Sequence, residues 1–167
     1  IYPFPIPKRL VCLSEGIGEK LTRLPSMPQC QVLIAKPGIS VSTKTVYEML
    51  DARTLRPEDH PDIDGMVEAI RKRDLYEVAG RFGNVLELVT AGRYPVIGQI
   101  EELMKEYGAI NAMMSGSGPT VFGLFSNPSS ARKAYEALRY GEGIDLAKQV
   151  YLTNFYNMNQ GAAGRLR

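Results

Sequence analysis

The chain has little of what metal or redox chemistry needs. Its one histidine, His60, stands before Pro61 in a polar stretch. A single imidazole cannot build a multi-histidine metal site. The acidic residues between Glu48 and Glu77 are too scattered for a carboxylate cluster, so no metal ligands are expected. Two cysteines, Cys12 and Cys30, form no C-x-x-C pair, and a pair of buried thiols or a disulfide both stay open. No apolar run reaches the ~18 residues of a membrane span, and no membrane partner is expected. Lys and Arg are scattered among Asp and Glu at a net charge of +2. Without a basic stripe, no nucleic-acid partner is expected. "IYPFPIPKRL" lacks the basic and apolar regions of a signal peptide, so the cytoplasm is the default compartment. The first residue is Ile rather than Met, which reads as a fragment or a processed product.

What is present is the composition of one globular domain. The 167 residues are 44% hydrophobic and 23% charged. A chain of that size buries roughly 70% of its unfolded surface. Pro3, Pro5 and Pro7 predict an irregular segment over residues 1–12. Ser14 to Gln29 reads as turn, short strand and loop. The compact run "CQVLIAK" reads as a buried strand. A helix near Lys44 to Leu50 follows, with Ser42 or Thr43 as its N-cap. Ile63, Met66, Val67 and Ile70 have helical spacing, as do Leu75, Val78 and Ala79, with Asp74 as the cap between them. Pro95 opens the clearest helix, striped by Val96, Ile97, Ile100, Leu103, Met104 and Tyr107 and closed by Gly108. Glu101, Glu102, Lys105 and Glu106 read as its solvated face. Strands Ile110–Met114 and Thr120–Phe125 flank a hairpin loop. A helix after Asn127 and a strand in "KQVYLTNFY" complete the pattern. Residues 158–167 read as a flexible tail. The fold class expected is α+β, with helices packed on one face of a mostly antiparallel sheet.

The loop "SGSGP" carries the candidate chemistry. Gly116 and Gly118 permit positive φ and close approach. Successive N–H groups there make an anion-binding concavity, and Ser115, Ser117 and Thr120 add hydroxyls. From spacing alone, a plain hairpin of small residues is the stronger reading. The loop is no Walker motif, because no G-K-[ST] follows. It is no dinucleotide fingerprint either, because Val121 stands where a third glycine belongs.

"GAINAMMSGSGPTVFGLF" resembles the third motif of the GHMP small-molecule kinases. "EGIGEKLTRLP", "LIAKPGISVST" and "GNVLE" resemble the branch acting on a cytidine-diphospho sugar alcohol in non-mevalonate isoprenoid synthesis. The segments occur in order over about residues 13–157, which the resemblance implies to be a GHMP kinase C-terminal domain, a ferredoxin-like plait. The resemblance implies transfer of the ATP γ-phosphate, with Mg²⁺, to the 2-hydroxyl of that substrate. It implies that Thr43 and Tyr47 bind substrate, with Tyr47 stacked on the cytosine. It implies that Ser115, Gly116, Ser117 and Gly118 support the phosphate loop. Read without the resemblance, Tyr47 is a core-face tyrosine with a wet hydroxyl. Asn84 and Glu87 in "GNVLE" read as a helix cap and a first-turn carboxylate.

The family's lysine strand, Gly-rich ATP loop and catalytic aspartate have no counterpart in this sequence. No catalytic residue is therefore expected here, and no tightly bound cofactor. The expected partners are the small substrate, an N-terminal kinase domain and, through an uncovered apolar patch, a homodimer. Two other readings stay open. One is a free-standing, non-catalytic small-molecule-binding module. The other is a different GHMP kinase of homoserine or mevalonate type.

Overall fold

The computed structural model describes residues 11–51 and 53–155. The irregular start over residues 1–10 and the tail from 158 lie outside the described residues. Strand β1 (Val11–Glu15) begins inside the stretch expected to be irregular and pairs antiparallel with β2 (Lys20–Leu24). Strand β3 (Gln31–Lys36) follows. Leu33 and Ala35 enter one core cluster, while Val32 enters another. A strand buried on both faces reads as a continuous apolar run, which is why "QVLIAK" shows no polar alternation.

Four helices come next: α1 (Thr43–Met49), α2 (Ile63–Lys72), α3 (Leu75–Gly80) and α4 (Val85–Arg93). Each starts on a side chain that accepts one or two of the N–H groups orphaned at a helix start: Ser42, Asp62, Asp74 and Asn84, respectively. Pro95 then precedes α5 (Val96–Glu106), standing at its cap position rather than inside it. Strands β4 (Asn111–Met114) and β5 (Val121–Phe125), helix α6 (Pro128–Tyr140) and strand β6 (Gln149–Asn154) complete the fold.

The main sheet has the order β4-β5-β3-β6, and every pair in it is antiparallel. The path β3-α5-β4-β5-α6-β6 is the split β-α-β arrangement of a ferredoxin-like plait. Ile97, Ile100 and Met104 of α5 and Ala131, Ala134 and Leu138 of α6 are wholly buried with Leu33 and Ala35. On the other sheet face, Leu75 and Ala79 of α3 meet Val32 and Leu124. Helices α1 to α4 are thus an insertion between the first plait strand and its first helix. They carry the chain around to the end of the sheet where the β4–β5 loop lies. Leu24, at the end of the β1–β2 hairpin, packs with Ala69 and Ile70 of α2.

Cys30 is a buried thiol. Burial pushes its pKa up to about 11, so it is a poor nucleophile. No described helix is long and apolar enough to cross a membrane.

Candidate functional site

Strand β4 is an edge strand, so its outward backbone groups need partners from outside the sheet. Helix α4 supplies them at Met114. The Met114 N–H donates to Glu87 Oε2 at 2.8 Å. Asn84 Nδ2 donates to the Met114 carbonyl at 3.0 Å and to the Gly116 carbonyl at 2.8 Å. Its Oδ1 meanwhile caps α4 by accepting from the Leu86 N–H at 3.1 Å. One asparagine therefore starts a helix and clamps the loop beside it. "GNVLE" is the segment that seats the loop.

Asn84→Asp separates these two tasks. The carboxylate keeps the cap but cannot donate to the two carbonyls. The expected loss is about 1–3 kcal/mol, the cost of leaving the part-buried Met114 carbonyl unpaired, since water can replace the donor at the exposed Gly116 carbonyl. Urea unfolding measures it.

Beyond Met114 the chain makes a tight turn. Ser115 N–H donates to the Thr120 carbonyl at 2.7 Å, and Gly118 N–H donates to the Ser115 carbonyl at 3.0 Å. Gly116 and Gly118 both have positive φ, 58° and 85°. The two glycines are needed for different reasons. A Cβ on Gly116 would meet nothing within 4 Å, so that face of the turn is open to approach. A Cβ on Gly118 would lie 2.5 Å from Met114 Sδ and 3.4 Å from Thr90 Cγ2. Gly118 is small because the protein packs against it. Thr90 is itself buried, bonding the Leu86 carbonyl at 3.0 Å. Among the described residues, the Gly116 and Ser117 N–H groups have no hydrogen-bond partner.

Thr43 and the loop, 74 residues apart in sequence, meet directly. Thr43 Oγ1 lies 2.9 Å from Ser117 Oγ. Tyr47 is one helical turn beyond Thr43, hence on the same side of α1. It is 61% exposed. That overturns the core-face reading of this tyrosine, because Val46 is the residue of α1 that enters the core. A cavity of about 200 Å³ lies between α1 and α4, lined among others by Thr45, Met49, Thr90, Arg93 and Tyr94. Tyr47 and Met49, with Leu88 on α4, are large apolar side chains left exposed.

Glu101, expected on a solvated face of α5, is only 8% exposed. Its Oε1 is buried with no hydrogen-bond partner among the described residues. Loss of solvation, with the charge of Glu87 second, pushes its pKa up to about 7. Burial raises Glu87 as well, against the opposing pull of the Met114 amide and Lys105. The burial of Glu101 is the feature of this region that sequence reading missed.

The site offers amides, hydroxyls and an exposed aromatic ring. Such a donor set fits phosphate oxygens and a flat base rather than a metal ion. No group of three or more His, Cys, Asp or Glu among the described residues could hold a metal.

The fold and loop define a class. Residues 66–142 match the family model described as GHMP kinases C terminal. The chain is 56% identical over 149 residues to the 4-diphosphocytidyl-2-C-methyl-D-erythritol kinase of Lachnospira eligens, covering 89% of this chain and 50% of that protein. It is 50% identical over 150 residues to the enzyme of the same name from Lachnoclostridium phytofermentans, covering 89% of this chain and 49% of that protein. The chain thus spans about half the length of the curated relatives it matches. A crystal structure titled 4-(cytidine 5'-diphospho)-2C-methyl-D-erythritol kinase superimposes with a TM-score of 0.62 at 28% identity, over 86% of this chain and 48% of that one. A homoserine kinase from Cytophaga hutchinsonii superimposes with a TM-score of 0.71 at 20% identity, over 86% of this chain and 48% of that one. That likeness shows the shared fold alone.

Proposed function

We propose that this chain is the C-terminal, substrate-side domain of an ATP-dependent kinase that phosphorylates the 2-hydroxyl of 4-diphosphocytidyl-2-C-methyl-D-erythritol. The observation that carries this reading is the Thr43–Ser117 hydrogen bond. It ties the helix assigned to the substrate to the loop assigned to phosphate. The names of the relatives supply the substrate, and identities of 50% and above favour the cytidine branch over homoserine or mevalonate kinases.

In this reading Mg²⁺-ATP supplies the phosphoryl group, and the chain positions what surrounds it. Phosphoryl transfer is mostly positioning and charge stabilisation. The unpaired N–H groups of Gly116 and Ser117, with the hydroxyls of Ser115 and Ser117, face the anion. The open side of Gly116 admits it. Thr43 fixes the Ser117 hydroxyl, and Tyr47 offers its exposed ring to the cytosine. The remaining half of the relatives' length supplies the catalytic lysine and aspartate and the main ATP loop. It also covers Met49 and Leu88. The chain by itself is then expected to turn over no ATP.

Tyr47→Ala tests the base platform in a chain extended to the full length of its relatives. Base–aromatic stacking contributes ~1–3 kcal/mol. Cytidine-diphospho ligands should therefore bind roughly 5- to 150-fold more weakly in calorimetry. Thermal stability should stay within about 0.5 kcal/mol of the parent, because the ring is exposed. Unchanged affinity removes Tyr47 from the site.

A further inference from the structure

We propose that Glu87, half-buried, and Glu101, buried, act as one proton-sharing carboxylate pair beneath the β4–β5 loop, whose single proton positions that loop through the Met114 amide. The proposal goes beyond the kinase reading and needs no ligand.

Three observations carry it. First, Glu87 Oε2 holds the Met114 N–H at 2.8 Å, one residue before the turn. Any change in the Glu87 carboxyl therefore reaches Ser115 and Gly116, the next two residues along the chain. Secondly, Glu101 of α5 is buried, and Glu87, Lys105 and the Met114 amide are the groups that act on its carboxyl. Thirdly, Glu101 Oε1 has no partner among the described residues. A buried ionised oxygen left unpaired is costly, and so is a second negative charge next to it. One shared proton relieves both. Protonated Glu101 then donates its O–H to the Glu87 carboxylate, which keeps its negative charge for the Met114 N–H.

The charged groups acting on the pair are few. Glu87 and Glu101 act on each other, and Lys105, one turn further along α5, is the cation acting on both. Lys105 is exposed, so water screens it and it cannot replace the proton. When the proton leaves, two carboxylates compete for one N–H. The Met114 end of β4 must shift, and the loop shifts with it. Glu87 and Glu101 are positioning residues in this scheme. Neither touches a substrate.

Amide NMR of the isotope-labelled chain tests the idea. Shifts of Met114, Gly116, Ser117 and Gly118 are followed from about pH 5 to about pH 9, bracketing neutrality. They should move together in one step with a midpoint near 7. Glu101→Gln keeps a donor to Glu87 and removes the titration. Its loop amides should hold the low-pH positions throughout. His60→Gln should leave the step intact, separating it from the single histidine. A parent chain without the step, or a Glu101→Gln chain that retains it, overturns the proposal. If Glu101→Gln does not fold, the side-chain carboxyl shifts of Glu87 and Glu101 in the parent decide. The proposal stands if both follow the loop step, and it falls if either titrates apart from it. Because no nucleotide is present, this result does not depend on the kinase reading.

Discussion

Gly118→Val should destabilise the domain by about 2–5 kcal/mol, combining backbone strain with overpacking. The φ of Gly118 is 85°, a region that a β-branched residue resists. The new Cβ would start 2.5 Å from Met114 Sδ, with Thr90 also in contact on the same side. Met114 is wholly buried, so its side chain cannot swing away into solvent. Gly116→Ala is the matching control. Its φ is also positive, at 58°, but nothing lies within 4 Å of the added carbon. It should cost about 1 kcal/mol, the backbone contribution alone. Urea unfolding of the two variants separates the effects. Equal losses would mean that packing against Met114 and Thr90 contributes nothing.

The second large effect is a pH dependence of stability arising from Glu101. Its pKa rises from an ordinary 4.5 to about 7 in the folded chain, chiefly through burial. The native state therefore holds this proton more tightly than the unfolded chain. Its contribution is fully present below about pH 4.5, declines as the pH rises through about 7, and is flat above. Each pKa unit is about 1.36 kcal/mol, so the swing is on the order of 3 kcal/mol. Glu101→Gln, which cannot ionise, should lose this slope. The stability difference between parent and variant should change across that window and nowhere else. A constant difference from about pH 5 to about pH 8 would mean that Glu101 titrates as an ordinary carboxyl.

Much of this fold was legible because its local signals agree. Asp74 caps α3, and its Oδ1 takes the N–H groups of Tyr76 and Glu77 at 3.0 Å each. The stripe on α5 and the hairpin around Gly116 and Gly118 were equally clear. The family resemblance added the plait. The sheet order alone was beyond sequence patterns, because β3 pairs with β5 and β6 across roughly 90 and 120 residues. Helix α4 showed only its cap. Val85, Leu86, Leu88 and Val89 crowd several faces of that helix, and the period is blurred.

Within the site, Thr43 and the Ser115–Gly118 loop were found through resemblance, and the structure brings Thr43 and Ser117 together. Glu101 was misplaced for an instructive reason. Its charge grouped it with Glu102, Lys105 and Glu106. Its position did not: it stands four residues after Ile97 and three before Met104, both wholly buried. Spacing placed it on the core stripe and only its chemistry argued otherwise. A charged residue at a core position is itself a signal, since burial of an acid requires a partner. In the proposed pairing that partner is Glu87, already present in "GNVLE".

The central claim is that Thr43, Tyr47 and the Gly116–Gly118 loop serve a cytidine-diphospho substrate. The most direct measurement extends the chain to the full length of its relatives and supplies ATP, Mg²⁺ and one of three alcohols. These are 4-diphosphocytidyl-2-C-methyl-D-erythritol, homoserine and mevalonate, with products read by phosphorus NMR. A new phosphomonoester on the 2-hydroxyl of the cytidine compound, with the other two unchanged, is the predicted result. Phosphorylation of homoserine or mevalonate with the cytidine compound untouched would contradict the account.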